Sequence, residues 1–146
     1  MNATWTTPGE RERWRLLAPA AAVVIEIPSR PLAVRAAADR VRALRAGSTV
    51  VLLDHRRCSL RARRIAASAG VAVDREYVAL PSLRRAIVVA EDSANALRWA
   101  CRSLVAPPPA VTWAHGPVSG VIELLRRYPR LAARLAAGRV LVGRTA

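Results

Sequence analysis

The chain has 146 residues, the size of one domain, and its hydrophobic share of 53% is enough for a buried core, which argues against a disordered protein. It carries 24 arginines and no lysine against 10 acidic residues, a formal net charge of +14. There is no run of about 18 apolar residues, which argues against a transmembrane helix. The amino end lacks the order of a secretory signal, so a cytoplasmic location is expected.

The charge of +14 has two interpretations. A strongly basic protein attracts phosphates, nucleic acids and anionic membranes. Alternatively, a GC-rich coding sequence favours arginine codons, and the charge then reflects base composition. Arginines retained for binding should cluster on one face of the molecule, whereas a compositional bias should scatter them.

The sequence predicts one α/β domain over residues 1–146, with a loose lead-in at 1–11. Apolar runs with β-branched residues indicate buried strands, and amphipathic segments that end at Gly47 or Gly70 indicate the helices between them. In chain order the first predictions are a strand at 20–27, a helix at 32–46, a strand at 49–53, a helix at 59–69 and a strand at 71–80.

The second half has fewer strands. The predictions are a strand at 86–90, a helix from Asp92 or Ser93 to 104, a proline-rich connector at 105–117, a helix from Pro117, a short helix to 137 and a strand at 139–142. The alternation predicts a small, mostly parallel, Rossmann-like sheet of four or five strands with flanking helices. The turn at 81–85 is too short for a crossover, so the strands on either side of it should pair antiparallel.

Two segments in which a glycine leads from a helix into a strand carry a family resemblance. Residues 41–53 run from a helix through Gly47 into a strand, and Ala69–Gly70–Val71 leads from the next helix into a pair of strands. In these features residues 20–91 resemble the carboxyl half of a class I S-adenosylmethionine-dependent methyltransferase. The resemblance implies methyl transfer with S-adenosylmethionine as cofactor.

The chain also departs from that family. It has no G-x-G motif, and there is no room before Ala20 for the two βα units that hold the cofactor. The resemblance therefore implies a partial or degenerate methyltransferase, or one that acts with a partner, and it assigns cofactor binding to no residue. Without those units the strand at 20–27 would be an exposed apolar edge. The strand at 139–142, a second copy of the chain or a partner protein is expected to cover it.

Polar side chains follow three of the predicted strands, where ligands of open sheets bind. The groups are Glu26, Ser29 and Arg30; Asp54 to Cys58; and Glu91, Asp92 and Ser93, although an antiparallel fourth strand would place the last group at the opposite end. In the second group we expect Asp54 to orient His55 as a general base. Arg56, Arg57 and Arg61 are predicted to bind a phosphate or carboxylate at a helix amino end. The alternative is a solvated polar loop beside an arginine-rich helix face.

Other residues carry weaker signals. His55, Cys58, Cys101 and His115 lack the spacing of a zinc site, so no metal is predicted. Trp99 and Trp113 either form a platform for bases or close the edge of a small core. Three functions stay open: a methyltransferase-like protein, a basic binding module for nucleic acid or another polyanion, and an interaction protein without a ligand.

Overall fold

The structure is a computed structural model that describes residues 15, 17–27, 33–56, 59–80, 82–86, 88–103 and 112–146. Within these ranges the strands are β1 (Val23–Ile27), β2 (Thr49–Asp54), β3 (Val71–Leu80), β4 (Val88–Glu91) and β5 (Arg139–Thr145). The helices are α1 (Ala33–Arg42), α2 (Arg61–Ser68), α3 (Ala94–Ser103), α4 (Thr112–Arg127) and α5 (Pro129–Leu135). The α/β class predicted from the sequence is confirmed.

The strands form one sheet in the order β1–β2–β5–β3–β4. The predicted antiparallel pairing of β3 with β4 is confirmed. The prediction of a mostly parallel sheet is wrong, because β1 and β2 are the only parallel neighbours in the described sheet and β5 runs antiparallel to both β2 and β3. Six of the seven residues of β5 are buried. A strand that is apolar on both faces gains most by entering the middle of a sheet, and β5 does so between β2 and β3.

The position of β5 also corrects the expectation for β1. The strand at 139–142 does not cover the edge of β1, because it lies beyond β2, and β1 ends the sheet. On β1, Val23 and Val24 are partly exposed. A second copy or a partner protein at this edge stays a prediction.

The described helices pack on one face of the sheet. Under α1 and α2 lie Ile25, Leu52 and Leu141, while α3, α4 and α5 cover Val78. The strand registers place these side chains on the same face. On the other face, the core consists of Val51, Leu53, Ala79, Val140 and Val142 with Leu83 and Ala86, next to the 3₁₀ turn Leu83–Arg85. The helices thus form a layer of two groups, α1 with α2 and α3 with α4 and α5, and the side chain of Arg63 in α2 reaches the second group.

Local signals set two of the helix ends. The hydroxyl of Ser93 accepts a hydrogen bond from the Ala96 N–H at 3.3 Å and caps α3, as predicted. Gly70 has φ of 68°, a left-handed conformation that lets the chain turn sharply from α2 into β3. By contrast, α4 begins at Thr112, so residues 112–117 of the predicted connector are helical. Prolines favour the first turn of a helix, which is why the sequence predicts a start at Pro117, but α4 begins one turn earlier and includes Pro117 in its second turn.

Several predictions fall outside the described residues: the lead-in at 1–11, the proline triplet at 107–109, Ser29, Arg30, Arg57 and Cys58, and the side chains of Trp113 and His115. In the part of the chain that is described, no helix combines the length and the apolar character needed to cross a membrane.

Candidate functional site

The strand-end site, which we define as Glu26, Asp54, His55 and Ser59, lies where β1 and β2 end. Asp54 is fully buried. One of its carboxylate oxygens accepts a hydrogen bond from the Ser59 hydroxyl, and the other accepts the N–H of Arg56 at 3.1 Å. The Ser59 oxygen in turn accepts the N–H of Arg61 at 3.2 Å. Asp54 therefore fastens the end of β2 to the first turn of α2.

His55 has a different partner. Its Nε2 lies 2.8 Å from an oxygen of Glu26, a residue of β1. The sequence pairs His55 with Asp54, but neighbouring residues of an extended chain point to opposite faces. Asp54 faces the helix layer, while His55 meets Glu26, whose side chain is on the other face of β1. A catalytic role for Asp54 or His55 stays a prediction.

Of the three arginines predicted to bind an anion, the structure describes two. Arg56 is exposed just after β2, and Arg61 is the partly buried first residue of α2. Arg57 lies outside the described residues. The contacts described for this loop hold it to Asp54 and Ser59. Anion binding by the three arginines stays a prediction.

A network of four charged side chains lies beneath the helix layer, between β3 and β5. Arg139, whose side chain is 8% exposed, contacts Glu76 at 2.6 Å and Asp92 at 2.8 Å through one guanidinium nitrogen. Its second terminal nitrogen donates to the carbonyl of Ala133 in α5 at 2.9 Å. Arg63 of α2 contacts the same two carboxylates, Glu76 at 2.6 Å and Asp92 at 3.2 Å.

This network balances two positive and two negative charges in a largely buried place. Burial opposes the charge of Arg139, but its hydrogen bonds to Asp92 and Glu76 outweigh that effect and hold its pKa above the ordinary arginine value. Because the carboxylates bind both arginines, they connect β5 to α2 and to the start of α3. Arg63 is half-exposed, so the network also fixes one arginine at the protein surface.

Two adjoining cavities open above this network, between α3 and α5. One has a volume of about 390 Å³ and the other about 420 Å³, and both are lined by Ala94, Arg130 and Arg134. We call them together the arginine groove, and its charged lining consists of Arg63, Arg98, Arg127, Arg130, Arg134 and Asp92. Apolar side chains, among them Leu97 and Leu131, form the rest of its wall.

The groove carries an excess of positive charge. Its one acidic lining residue, Asp92, is already bound to Arg63 and Arg139. From residue 93 to the end of the chain, the sequence contains eight arginines and a single acidic residue, Glu123. Glu123 lies on α4 beside Arg126 at 3.8 Å. The helices that form the groove therefore supply few carboxylates to neutralise its arginines.

The groove was not predicted from the sequence. Arg63 is separated by more than 60 residues from Arg130 and Arg134, and only the packing of α2, α3 and α5 on one face brings the three together. One local signal was present: Arg130 and Arg134 are four residues apart, a spacing that places both on the same side of a helix.

No three His, Cys, Asp or Glu side chains in the described ranges come together in a way that would hold a metal ion. Comparison with protein-family models, with curated proteins and with solved structures finds no match for this chain.

Proposed function

We propose that this protein is a binding module for a phosphate-bearing polyanion, which it holds in the arginine groove. The observation that carries the proposal is the convergence of five arginines from α2, α3, α5 and the end of α4 on two adjoining cavities. Guanidinium groups bind phosphate oxygens with paired, charge-assisted hydrogen bonds.

The distribution of charge supports this interpretation over a purely compositional one. Exposed arginines also occur elsewhere, for example Arg35 and Arg40 on α1. The arginines of α1 line neither of the two cavities, and one of them, Arg42, contacts Asp39 at 2.7 Å. The groove arginines instead surround a cavity large enough for a small-molecule ligand or a segment of a longer one.

The proposal is tested with the full chain and a fluorescently labelled polyphosphate in an anisotropy titration at several salt concentrations. We expect the logarithm of the affinity to fall linearly with the logarithm of the salt concentration. In the double variant Arg130→Gln with Arg134→Gln, the slope should decrease by about one for each arginine removed. The affinity at low salt should fall by about tenfold or more.

The matched control is Arg35→Gln with Arg40→Gln, which removes the same charge from α1. We expect this variant to bind within about twofold of the unmodified protein, since two remote surface charges contribute only through the screened general field. Equal losses in the two double variants would contradict the proposal, because binding would then depend on net charge and not on the groove.

A methyltransferase-like activity is a second proposal. Gly70, in its left-handed conformation, leads into β3, which pairs antiparallel with β4, the arrangement that the family resemblance implies. The test is the melting temperature of the protein with S-adenosylmethionine or its demethylated product. A ligand at 100 times its dissociation constant stabilises the folded state by about 2.7 kcal/mol, a shift of several degrees. An unchanged melting temperature at millimolar ligand would contradict binding by this chain alone.

A further inference from the structure

Two aromatic side chains near the groove are unusually exposed. Trp99 on α3 is 73% exposed and Tyr128, between α4 and α5, is 49% exposed. Tryptophan and tyrosine normally bury most of their large apolar surface in the core or at an interface. Neither ring is buried in the core of the described structure. The exposure of Trp99 therefore argues against the alternative that it closes the edge of a small core.

Both aromatic residues are placed beside groove arginines. Tyr128 lines the larger cavity, and the guanidinium carbon of Arg127 lies 5.7 Å from the centre of its ring. On α3, Arg98 lines the same cavity, and Arg102 lies one turn further along the helix. Arg98, Trp99 and Arg102 are all exposed, so they form a continuous outer face of α3 that starts at the groove.

We propose that the arginine groove binds single-stranded nucleic acid, with phosphates on the arginines and unpaired bases stacked on Tyr128 and Trp99. This inference rests on the proposed polyanion binding and names its ligand. Proteins that bind single strands combine a positive groove along the backbone with aromatic platforms for the bases. Here Tyr128 lines the groove itself, and Trp99 is exposed next to the groove residue Arg98 on α3.

The same chemistry separates this ligand from other polyanions. Polyphosphate and anionic lipid headgroups bind arginines but have no planar ring to stack on an aromatic side chain. A duplex encloses the faces of its bases in the stack, so only its phosphates would reach the groove. The groove also exceeds a single phosphate site, because its five arginines line two adjoining cavities of about 420 and 390 Å³.

The test uses the full chain with a fluorescein-labelled oligothymidylate, the corresponding oligouridylate, a duplex of the same length, thymidine monophosphate and labelled polyphosphate. The variants are Tyr128→Leu and Trp99→Leu, which keep apolar bulk and charge but remove the ring. Each should weaken binding of the single-stranded probes by about tenfold, a typical effect of losing one stacked base. Tyr128→Phe and Trp99→Phe should restore most of the affinity, and binding of polyphosphate should stay within about twofold.

Because both positions are exposed, the variants should melt at the same temperature as the unmodified protein, which separates a binding effect from unfolding. The inference is overturned if the leucine variants bind single strands normally, if the duplex or the monophosphate binds as tightly as the oligomer, or if polyphosphate alone is bound. In those cases the proposal of polyanion binding still holds if the double variant Arg130→Gln with Arg134→Gln weakens polyphosphate binding. If that double variant binds polyphosphate normally, the groove fails for both proposals.

Discussion

The strand-end site and the arginine groove use their polar groups in opposite ways. At the strand-end site the carboxylate of Asp54 is occupied by Ser59 and by the N–H of Arg56, and His55 meets Glu26. In the groove, five arginines face cavities, with Asp92 as the one acidic lining residue. A dense polar segment of the sequence can thus have its hydrogen-bonding groups occupied by contacts within the protein. An open site arises where distant elements place like charges around the same space.

The two regions also differ in what supports them. The strand-end site depends on one loop between β2 and α2. The groove depends on the network of Arg139, Glu76, Asp92 and Arg63, which joins β3, β5, α2 and α3 under the cavities. We therefore expect changes in the network to have larger and more distant effects than changes in the strand-end site.

The largest effect is expected for Arg139→Leu. This change leaves Glu76 and Asp92 largely buried with only Arg63 as a counter-charge, and breaking a buried pair in this way costs about 3–5 kcal/mol. The free energy of unfolding is measured by urea denaturation followed by circular dichroism. Polyphosphate binding should weaken as well, because Arg63 and Asp92 lose the residue that holds them at the groove.

The matched control for that experiment is Arg144→Leu, which removes another arginine of β5. Arg144 contacts Asp74 at 3.1 Å, but both side chains are exposed, so the urea midpoint should hardly change. Similar shifts for Arg139→Leu and Arg144→Leu would show that the network is no more important than a surface ion pair.

A smaller effect is expected for Asp54→Ala at the strand-end site. The change removes a buried acceptor of two hydrogen bonds, and we expect a loss of about 2 kcal/mol in the free energy of unfolding. Ser59→Ala removes one of the two donors. If Asp54 and Ser59 act as a unit, the double variant should cost less than the sum of the single variants. Strict additivity in this cycle would contradict the contact that fastens β2 to α2. Polyphosphate binding should be unaffected as long as the protein is folded.

The smallest effect is expected for Glu26→Gln. Its contact with His55 joins an exposed and a partly exposed side chain, and such pairs contribute at most about 1 kcal/mol. We expect a change in unfolding free energy close to that of Glu123→Gln, whose pair with Arg126 is also at the surface. A loss as large as that of Asp54→Ala would contradict this expectation, because the Glu26–His55 contact would then stabilise the fold as strongly as the buried contacts of Asp54.

Local patterns in the sequence were sufficient for most of the elements. The strand predicted at 71–80 matches β3 to the residue, and the short turn after it predicts the antiparallel pairing with β4. These features depend on neighbours along the chain: hydrophobic spacing, a capping serine at 93 and a left-handed glycine at 70. The expected α/β class followed from the same signals.

The strand order and the groove depended on contacts that no local pattern encodes. β5 entered between β2 and β3 because its side chains are apolar on both faces, which changed a mostly parallel sheet into a mixed one and left β1 at the edge. That insertion placed Arg139 beside Glu76, and the shared helix layer brought Arg63 to Arg130 and Arg134. Charge composition alone therefore indicated a basic protein. Only the packing of distant helices on one face decided where that charge is concentrated.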